Sequence, residues 1–161
     1  MSQELVTYIV LGSNQRLKNI KIPSSTKVEE YLLANFDDNN LIVKTIDSLV
    51  SNAKGNLVVL LPPSSLPNKK SKEILKKISM IDLSAWGWFQ FNKKNNDIIQ
   101  NLKKISSAMR SIPNLEQGIF FSKRLYFSVG GIGAFGAQPF KEISKRFYSR
   151  IDPQNPLPAL I

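Results

Sequence analysis

Apolar positions in this chain recur either in short continuous runs or at helical spacing, and turn residues separate one run from the next. Leu5 to Leu11 reads as a strand that ends at the turn Gly12-Ser13-Asn14, and Ile20 to Ser25 as a second short extended piece broken by Pro23. Thr26-Lys27-Val28-Glu29 has the form of a capping box, and Val28, Tyr31, Leu32 and Phe36 recur beyond it at helical spacing. The sequence therefore predicts a helix there, stopping in Asp37-Asp38-Asn39-Asn40. Leu41 to Val43 reads as a brief strand. Ile46, Leu49, Val50 and Ala53 then mark an amphipathic helix closed by Gly55 at the position after its C-cap. Five consecutive apolar residues, Leu57 to Leu61, suit a central parallel strand covered by helices on both faces.

The second half continues the alternation. Lys69 to Met80 is a helix with Ile74, Leu75 and Ile78 on one side and five lysines around the other. Ala85 to Phe91 alternates large aromatics with smaller groups, as a strand with one packed face does. Asn96 or Asp97 caps a further helix whose Ile98, Leu102, Ile105 and Met109 form one stripe, and Pro113 ends it. Ile119 to Phe121 is a short buried strand that feeds a basic, aromatic helical turn and a bend at Gly130-Gly131. Pro139 then opens a helix lined by Phe140, Ile143 and Phe147. Ile151 to Ile161, with Pro153, Pro156 and Pro158, is an extended tail lying along the surface or pairing with a neighbouring chain. Strands alternating with helices give an α/β class: a single three-layer domain over residues 1–150, with a mixed, mostly parallel sheet flanked by helices, and a Pro-rich tail over 151–161.

Composition narrows the chemistry. A chain of 161 residues buries roughly 70% of its unfolded surface and needs no staple. Without Cys or His it has no disulfides, no thiolate metal site and no imidazole base, so any catalysis must use carboxylates, Lys or Tyr. No apolar run approaches the ~18 residues of a membrane span, and Met1 to Leu11 lacks signal-peptide features; the expected location is cytoplasmic, or peripheral to a membrane. The formal charge of +10 attracts nucleotides, anionic lipids or nucleic acid without choosing among them. Asp37-Asp38 reads as a polar loop rather than a metal site. The glycines from Gly130 to Gly136 do not form a phosphate loop, since no Lys-Ser/Thr pair comes after them.

Glu116 to Gly131 resembles the acceptor-side segment of family 2 glycosyltransferases of the GT-A (nucleotide-diphospho-sugar transferase) fold: Gln117-Gly118 precedes an apolar strand, a basic helical turn and the Gly130-Gly131 hinge. Asn14-Gln15 stands where that family has an Asn-Glu pair after its first strand, and Leu66-Pro67 matches the Leu-Pro closing its acidic loop. The resemblance implies a GT-A-like fold and a nucleotide-sugar donor. It also locates departures. Pro63 falls where the family's metal-binding Asp belongs, and Pro139-Phe140 where its catalytic acidic pair belongs, while Glu142, Ser144, Lys145 and Arg146 fit the later positions of the same helix. Proline and phenylalanine carry no ligating or basic oxygen. The segment from Ile20 to Leu41 is too brief for the family's second strand and its nucleotide loop.

The leading expectation is a degenerate glycosyltransferase-like domain serving as a non-catalytic binding or assembly protein, with a nucleotide, a nucleotide-sugar, a protein partner or a second copy as its partner. The alternatives are a metal-independent glycosyltransferase in which Lys123, Arg124 or Arg146 neutralises the diphosphate, and a basic nucleic-acid binder using Lys69 to Lys77, Lys103, Lys104, Arg110, Trp86 and Trp88. The candidate ligand-binding residues are Asn14, Ser64, Ser65, Trp88, Gln117, Gly118, Lys123 and Arg124. Glu116 and Glu142 are the remaining catalytic candidates, and no metal ligand is assigned; Mn or Mg is expected only in an active relative.

Overall fold

β1 (Val6–Gly12) is buried at every position and forms the spine of the sheet, pairing in parallel with β2 (Glu29–Asn35) on one side and β3 (Leu57–Leu61) on the other. The structure, a computed structural model, describes residues 5–37, 39–63, 65–81, 83–91 and 111–161. Antiparallel pairing joins β3 to β5 (Ile119–Ser122) and β5 to β4 (Trp86–Trp88), giving the order β2-β1-β3-β5-β4. Among these strands β5 runs against the other four. The helices are α1 (Asn14–Lys18), α2 (Asn39–Asn52), α3 (Lys69–Met80), α4 (Lys123–Ser128) and α5 (Lys141–Tyr148). The chain is one α/β domain with a five-stranded mixed sheet flanked by helices, as its pattern predicts.

Two cores lie on the two faces of the sheet. On one face Ile42, Ile46 and Val50 of α2, Leu125 and Tyr126 of α4, and Ile143 and Phe147 of α5 pack against Ile9, Val58, Trp86 and Phe121. On the other, Leu75 of α3 and Leu157 and Leu160 of the tail pack against Tyr8, Val59 and Phe120. Every β3 side chain is at most 1% exposed, so each contributes roughly 1.5–3 kcal/mol of transfer free energy. Among the described residues no helix is long and apolar enough to cross a membrane.

Several elements differ from the sequence expectation. The helix expected from Thr26 to Phe36 is β2. The Thr26 hydroxyl accepts from the backbone of Val28 at 3.2 Å and of Glu29 at 3.1 Å, as a capping threonine would, but the chain then extends along β1 in seven registered pairs. The segment before Leu41 therefore does hold a second parallel strand. Ile20 to Ser25 enters no strand, and Leu41 to Val43 is the first turn of α2, because buried Ile42 belongs to the stripe of Ile46 and Val50.

Gly55 is not a left-handed helix terminator. It passes so close to β1 that a Cβ would sit 2.6 Å from the Leu5 carbonyl oxygen. The strand at Ala85 to Phe91 shortens to Trp86–Trp88, and α5 begins at Lys141, two residues after Pro139, with Phe140 at its N-cap. The tail packs on its own chain. Leu157 donates to the Trp88 carbonyl at 3.0 Å and accepts from Gln90 at 2.8 Å, while Ile161 and Leu66 exchange two bonds of 2.9 Å. The helix expected around Ile98 to Met109 lies outside the described residues, as do Asp38 and Ser64.

Candidate functional site

In an open α/β sheet the ligand crevice lies beyond the carboxyl ends of the parallel strands. At that edge the chain gathers Gly12 to Asn14 after β1, Asp37 after β2, Pro62, Pro63 and Ser65 after β3, Gln117-Gly118 before the antiparallel β5, and Phe89 after β4. Asn14, Ser65, Gln117 and Gly118 are thus brought to one edge; Ser64 lies outside the described residues. Ser13 caps α1 by accepting from the Arg16 backbone at 3.2 Å, and Asp37 accepts from the exposed Asn14 backbone at 2.8 Å. That bond ties the loops after β1 and β2 together.

Several of these groups are already engaged. Gln117 is 4% exposed: its side-chain oxygen accepts from the Asn114 backbone at 3.0 Å, its amide nitrogen donates to the Phe89 carbonyl at 3.3 Å, and its backbone N–H donates to the Asn114 side chain at 3.0 Å. Gly118 adopts φ +72° with the Leu60 carbonyl oxygen 3.1 Å from where a Cβ would stand, so the turn into β5 needs glycine. Trp88 is 5% exposed and tilts against Trp86 with ring centroids 5.5 Å apart, which makes it a core residue rather than a stacking platform.

Pro62 and Pro63 are buried, and Pro63 stands over the end of β1, its Cβ 3.2 Å from the point a Gly12 Cβ would occupy. A hollow of about 230 Å³ opens beside them, walled by Val10, Ile22, Pro63, Ser65, Leu66 and Ile161. The wall from the other half of the chain comes from the loop before α5. Phe135 packs on Phe36 with centroids 6.4 Å apart, and a second hollow of about 340 Å³ opens at Ala134, Gly136, Gln138 and Lys141. Phe140, where the acidic pair of the resembled family would lie, is fully buried in the core.

Lys123 and Arg124 are not beside this crevice. β5 carries the chain across the sheet, so both stand at the amino end of β3, where Lys123 donates from Nζ to the carbonyls of Ala53 at 2.8 Å and Ser51 at 3.3 Å. Lys123 thereby caps the end of α2. Arg146 reaches back from α5 to the carbonyls of Val129, Gly130 and Gly131 at 3.5, 3.4 and 3.2 Å and pairs with Glu142 at 3.3 Å. Glu116 is exposed. Among the described residues no three carboxylates converge on a point that would hold a metal ion.

One constellation has no counterpart among the sequence expectations. Asp47 of α2 accepts from the Tyr126 hydroxyl in a very short hydrogen bond and from the Ile132 backbone at 3.1 Å, and Gly131, at φ +91°, leaves room for it. Burial first, and then the Asp47 carboxylate, raise the Tyr126 phenol well above its usual range. The contact spans 79 residues, so no local pattern could announce it. It fixes the Gly130-Gly131 bend, and with it the direction in which the crevice wall leaves α4.

In structure, the chain is similar to the mannosyltransferase PcManGT from Pyrobaculum calidifontis in complex with GDP-Man and Mn²⁺, with a TM-score of 0.59 and 14% sequence identity over 96% of this chain and 55% of that one. The chain spans about half the length of that mannosyltransferase. No protein-family model matches the chain, and no curated protein matches it by sequence. The likeness shows a glycosyltransferase-like fold.

Proposed function

We propose that this chain is a glycosyltransferase-like domain on a family 2 scaffold that has lost metal-dependent sugar transfer and serves as a binding or assembly module. The observation that carries this is Pro63. It stands at the carboxyl end of the central strand β3, buried against Gly12, and the resemblance of Leu66-Pro67 to the family's Leu-Pro puts it where a carboxylate would hold a cation on the donor diphosphate. A proline ring there offers no ligand atom and fills space next to the end of β1. Burial of Phe140 at the start of α5 supports the same conclusion for the base, because an apolar ring pointed into the core neither abstracts a proton nor leaves room for a carboxylate. The metal-independent alternative loses support from Lys123 and Arg124 standing at the far end of β5, and from Arg146 being bonded to three carbonyls and Glu142.

The crevice retains Asn14, Ser65 and the two hollows, which suit a nucleotide or nucleotide-sugar held without a cation. Thermal unfolding with GDP, UDP and their sugar conjugates, with and without Mn²⁺, tests the proposal. A ligand present at about a hundred times its Kd adds about 2.7 kcal/mol of stability. The expected result is a rise in Tm that is the same with and without Mn²⁺, and no nucleoside diphosphate released from the sugar conjugates. Stabilisation that requires Mn²⁺, or steady release of nucleoside diphosphate, refutes the loss of transfer. No stabilisation by any nucleotide removes the ligand and leaves assembly as the role.

A further inference from the structure

One surface that the proposed function does not use runs along α3, from just past the loop after β3 to the end of the domain opposite the crevice. Helix α3 turns outward a face on which Lys69, Glu73, Lys76 and Met80 recur at i, i+4, i+7 and i+11, with Lys70 and Lys77 beside them. The stripe is thus basic for most of its length and apolar at its carboxyl end. There the chain leaves the helix through Met80, Ile81 and Leu83, which are 49, 55 and 70% exposed. Three large apolar side chains this open thus fall within four residues. In sequence, Lys69 to Leu83 holds five lysines and two acidic residues, and of the lysines Lys72 is turned to Glu29 at 3.5 Å.

The turn is held in place rather than loose. Ser122 donates from its backbone to the Ala85 carbonyl at 2.9 Å, and its hydroxyl accepts from Ala85 at 3.2 Å, so Leu83 to Ala85 abuts the start of α4. That helix brings exposed Arg124 to the same end of the sheet, and Phe127, 48% exposed, one turn later. A hollow of about 310 Å³ between Ile78, Met80, Leu83, Lys123 and Arg124 completes the surface.

From this arrangement we infer that this surface docks on an anionic lipid bilayer, with Met80, Ile81 and Leu83 entering the headgroup boundary and the outward lysines of α3 meeting lipid phosphates. The chemistry is complementary on both counts. Lysine stems reach several ångströms along an apolar interface while their ammonium groups stay among phosphates, and projecting aliphatic side chains gain from a bilayer what they cannot gain from a nucleic-acid backbone. The apolar turn lies at the amino end of β3, away from the crevice, whereas Lys69 and Lys70 open α3 just after the loop that follows β3. The inference stands whether or not the crevice binds a nucleotide.

Vesicle co-sedimentation of the full chain tests it, using phosphatidylcholine vesicles with and without phosphatidylglycerol at low and high salt. Binding is expected to the anionic vesicles only, weakening as salt rises. Each of Lys69→Gln, Lys70→Gln, Lys76→Gln and Lys77→Gln should weaken it about fivefold. The triple variant Met80→Ser, Ile81→Ser, Leu83→Ser should weaken it more than about tenfold, and since all three residues are exposed, its Tm should match that of the wild type. Absence of sedimentation with anionic vesicles overturns the inference, as does sedimentation that the triple variant leaves unchanged. If single-stranded DNA binds as tightly as the vesicles and the triple variant retains that binding, the surface is a general polyanion site and the bilayer assignment fails. A wild-type dimer that the triple variant converts to monomer, without vesicle binding, identifies a contact between copies and also overturns it.

Discussion

Replacing Asp47 with Ala removes the one acceptor shared by two donors from distant parts of the chain, the Tyr126 hydroxyl and the Ile132 backbone N–H. Both donors belong to residues that are fully buried. A buried donor left without an acceptor costs about 1–3 kcal/mol, so the pair sets a range of about 2–6 kcal/mol. The lower half applies, because Asp47 itself is half-buried and water can reach part of the vacated space. The expected loss is therefore about 3 kcal/mol, or a fall in Tm of roughly 6–12 °C for a chain of this size. Asp47→Asn keeps an acceptor oxygen without the charge and should cost about 1 kcal/mol. Tyr126→Phe should cost about 1–2 kcal/mol, since the carboxylate keeps the Ile132 bond. Equilibrium denaturation of Asp47→Ala, Tyr126→Phe and the double variant yields the coupling directly, expected at about 1–2 kcal/mol. A stability change under ~0.5 kcal/mol in Asp47→Ala, or a coupling indistinguishable from zero, would falsify the reasoning that this carboxylate pins the Gly130-Gly131 bend.

Lys123 and the buried phenols offer two further tests. Lys123→Met removes the ammonium that closes the end of α2 on the carbonyls of Ser51 and Ala53; it should lower stability by about 1 kcal/mol by urea titration and leave any nucleotide-induced rise in Tm unchanged, whereas a diphosphate-binding lysine would abolish that rise. Tyr8, Tyr31 and Tyr126 all have phenols held above their usual range, in each case chiefly by burial, with Glu29 adding to the first two and Asp47 to the third. Their folded pKa values lie above the unfolded value, so their contribution to stability is complete below about pH 10 and falls as pH rises past it, where only the unfolded chain gives up protons. Tyrosinate absorbance should show these phenols ionising together with alkaline unfolding, and ionisation of all of them in the native fold near pH 10 would contradict the burial.

The parts of the fold legible in the sequence are those whose local pattern and tertiary role agree. Leu57 to Leu61 reads as a central strand because five apolar residues between turns can be buried only with both faces covered. β2 is hidden, because Val28, Tyr31, Leu32 and Phe36 fit a helical stripe and Thr26 supplies a capping hydroxyl. What overrides them is the edge of β1, whose backbone groups need partners that a helix does not give. The docking of the tail is hidden by its prolines. Pro153, Pro156 and Pro158 lack N–H groups, yet the intervening Gln154 and Leu157 donate to the carbonyls of Trp86 and Trp88, so the prolines fall where β4 requires no donor. Around the crevice, Asn14, Ser65 and Gln117-Gly118 come to one edge because each lies next to a strand end. Lys123 and Arg124 do not join them, since adjacency in sequence is not adjacency in space. The four residues of β5, at about 3.3 Å each, move the chain about 13 Å to the other end of the sheet.

The crevice and the α3 surface differ in what a ligand would have to displace. At the crevice, Asp37 is bonded to Asn14, Gln117 to Asn114 and Phe89, Leu66 to Ile161, and Arg146 to Glu142. A nucleotide using any of these groups exchanges an existing protein bond for a new one, and the net gain per exchange is small compared with the cost of immobilising the ligand. Along α3, Lys69, Lys70 and Lys77 are exposed, as are Met80, Ile81 and Leu83 at its far end, so an anionic interface gains both the electrostatic attraction and the burial of apolar surface without dismantling the core. Nucleotide affinity should therefore be weak even with the crevice open, while attachment through the basic, apolar end is limited by salt rather than by rearrangement of the fold.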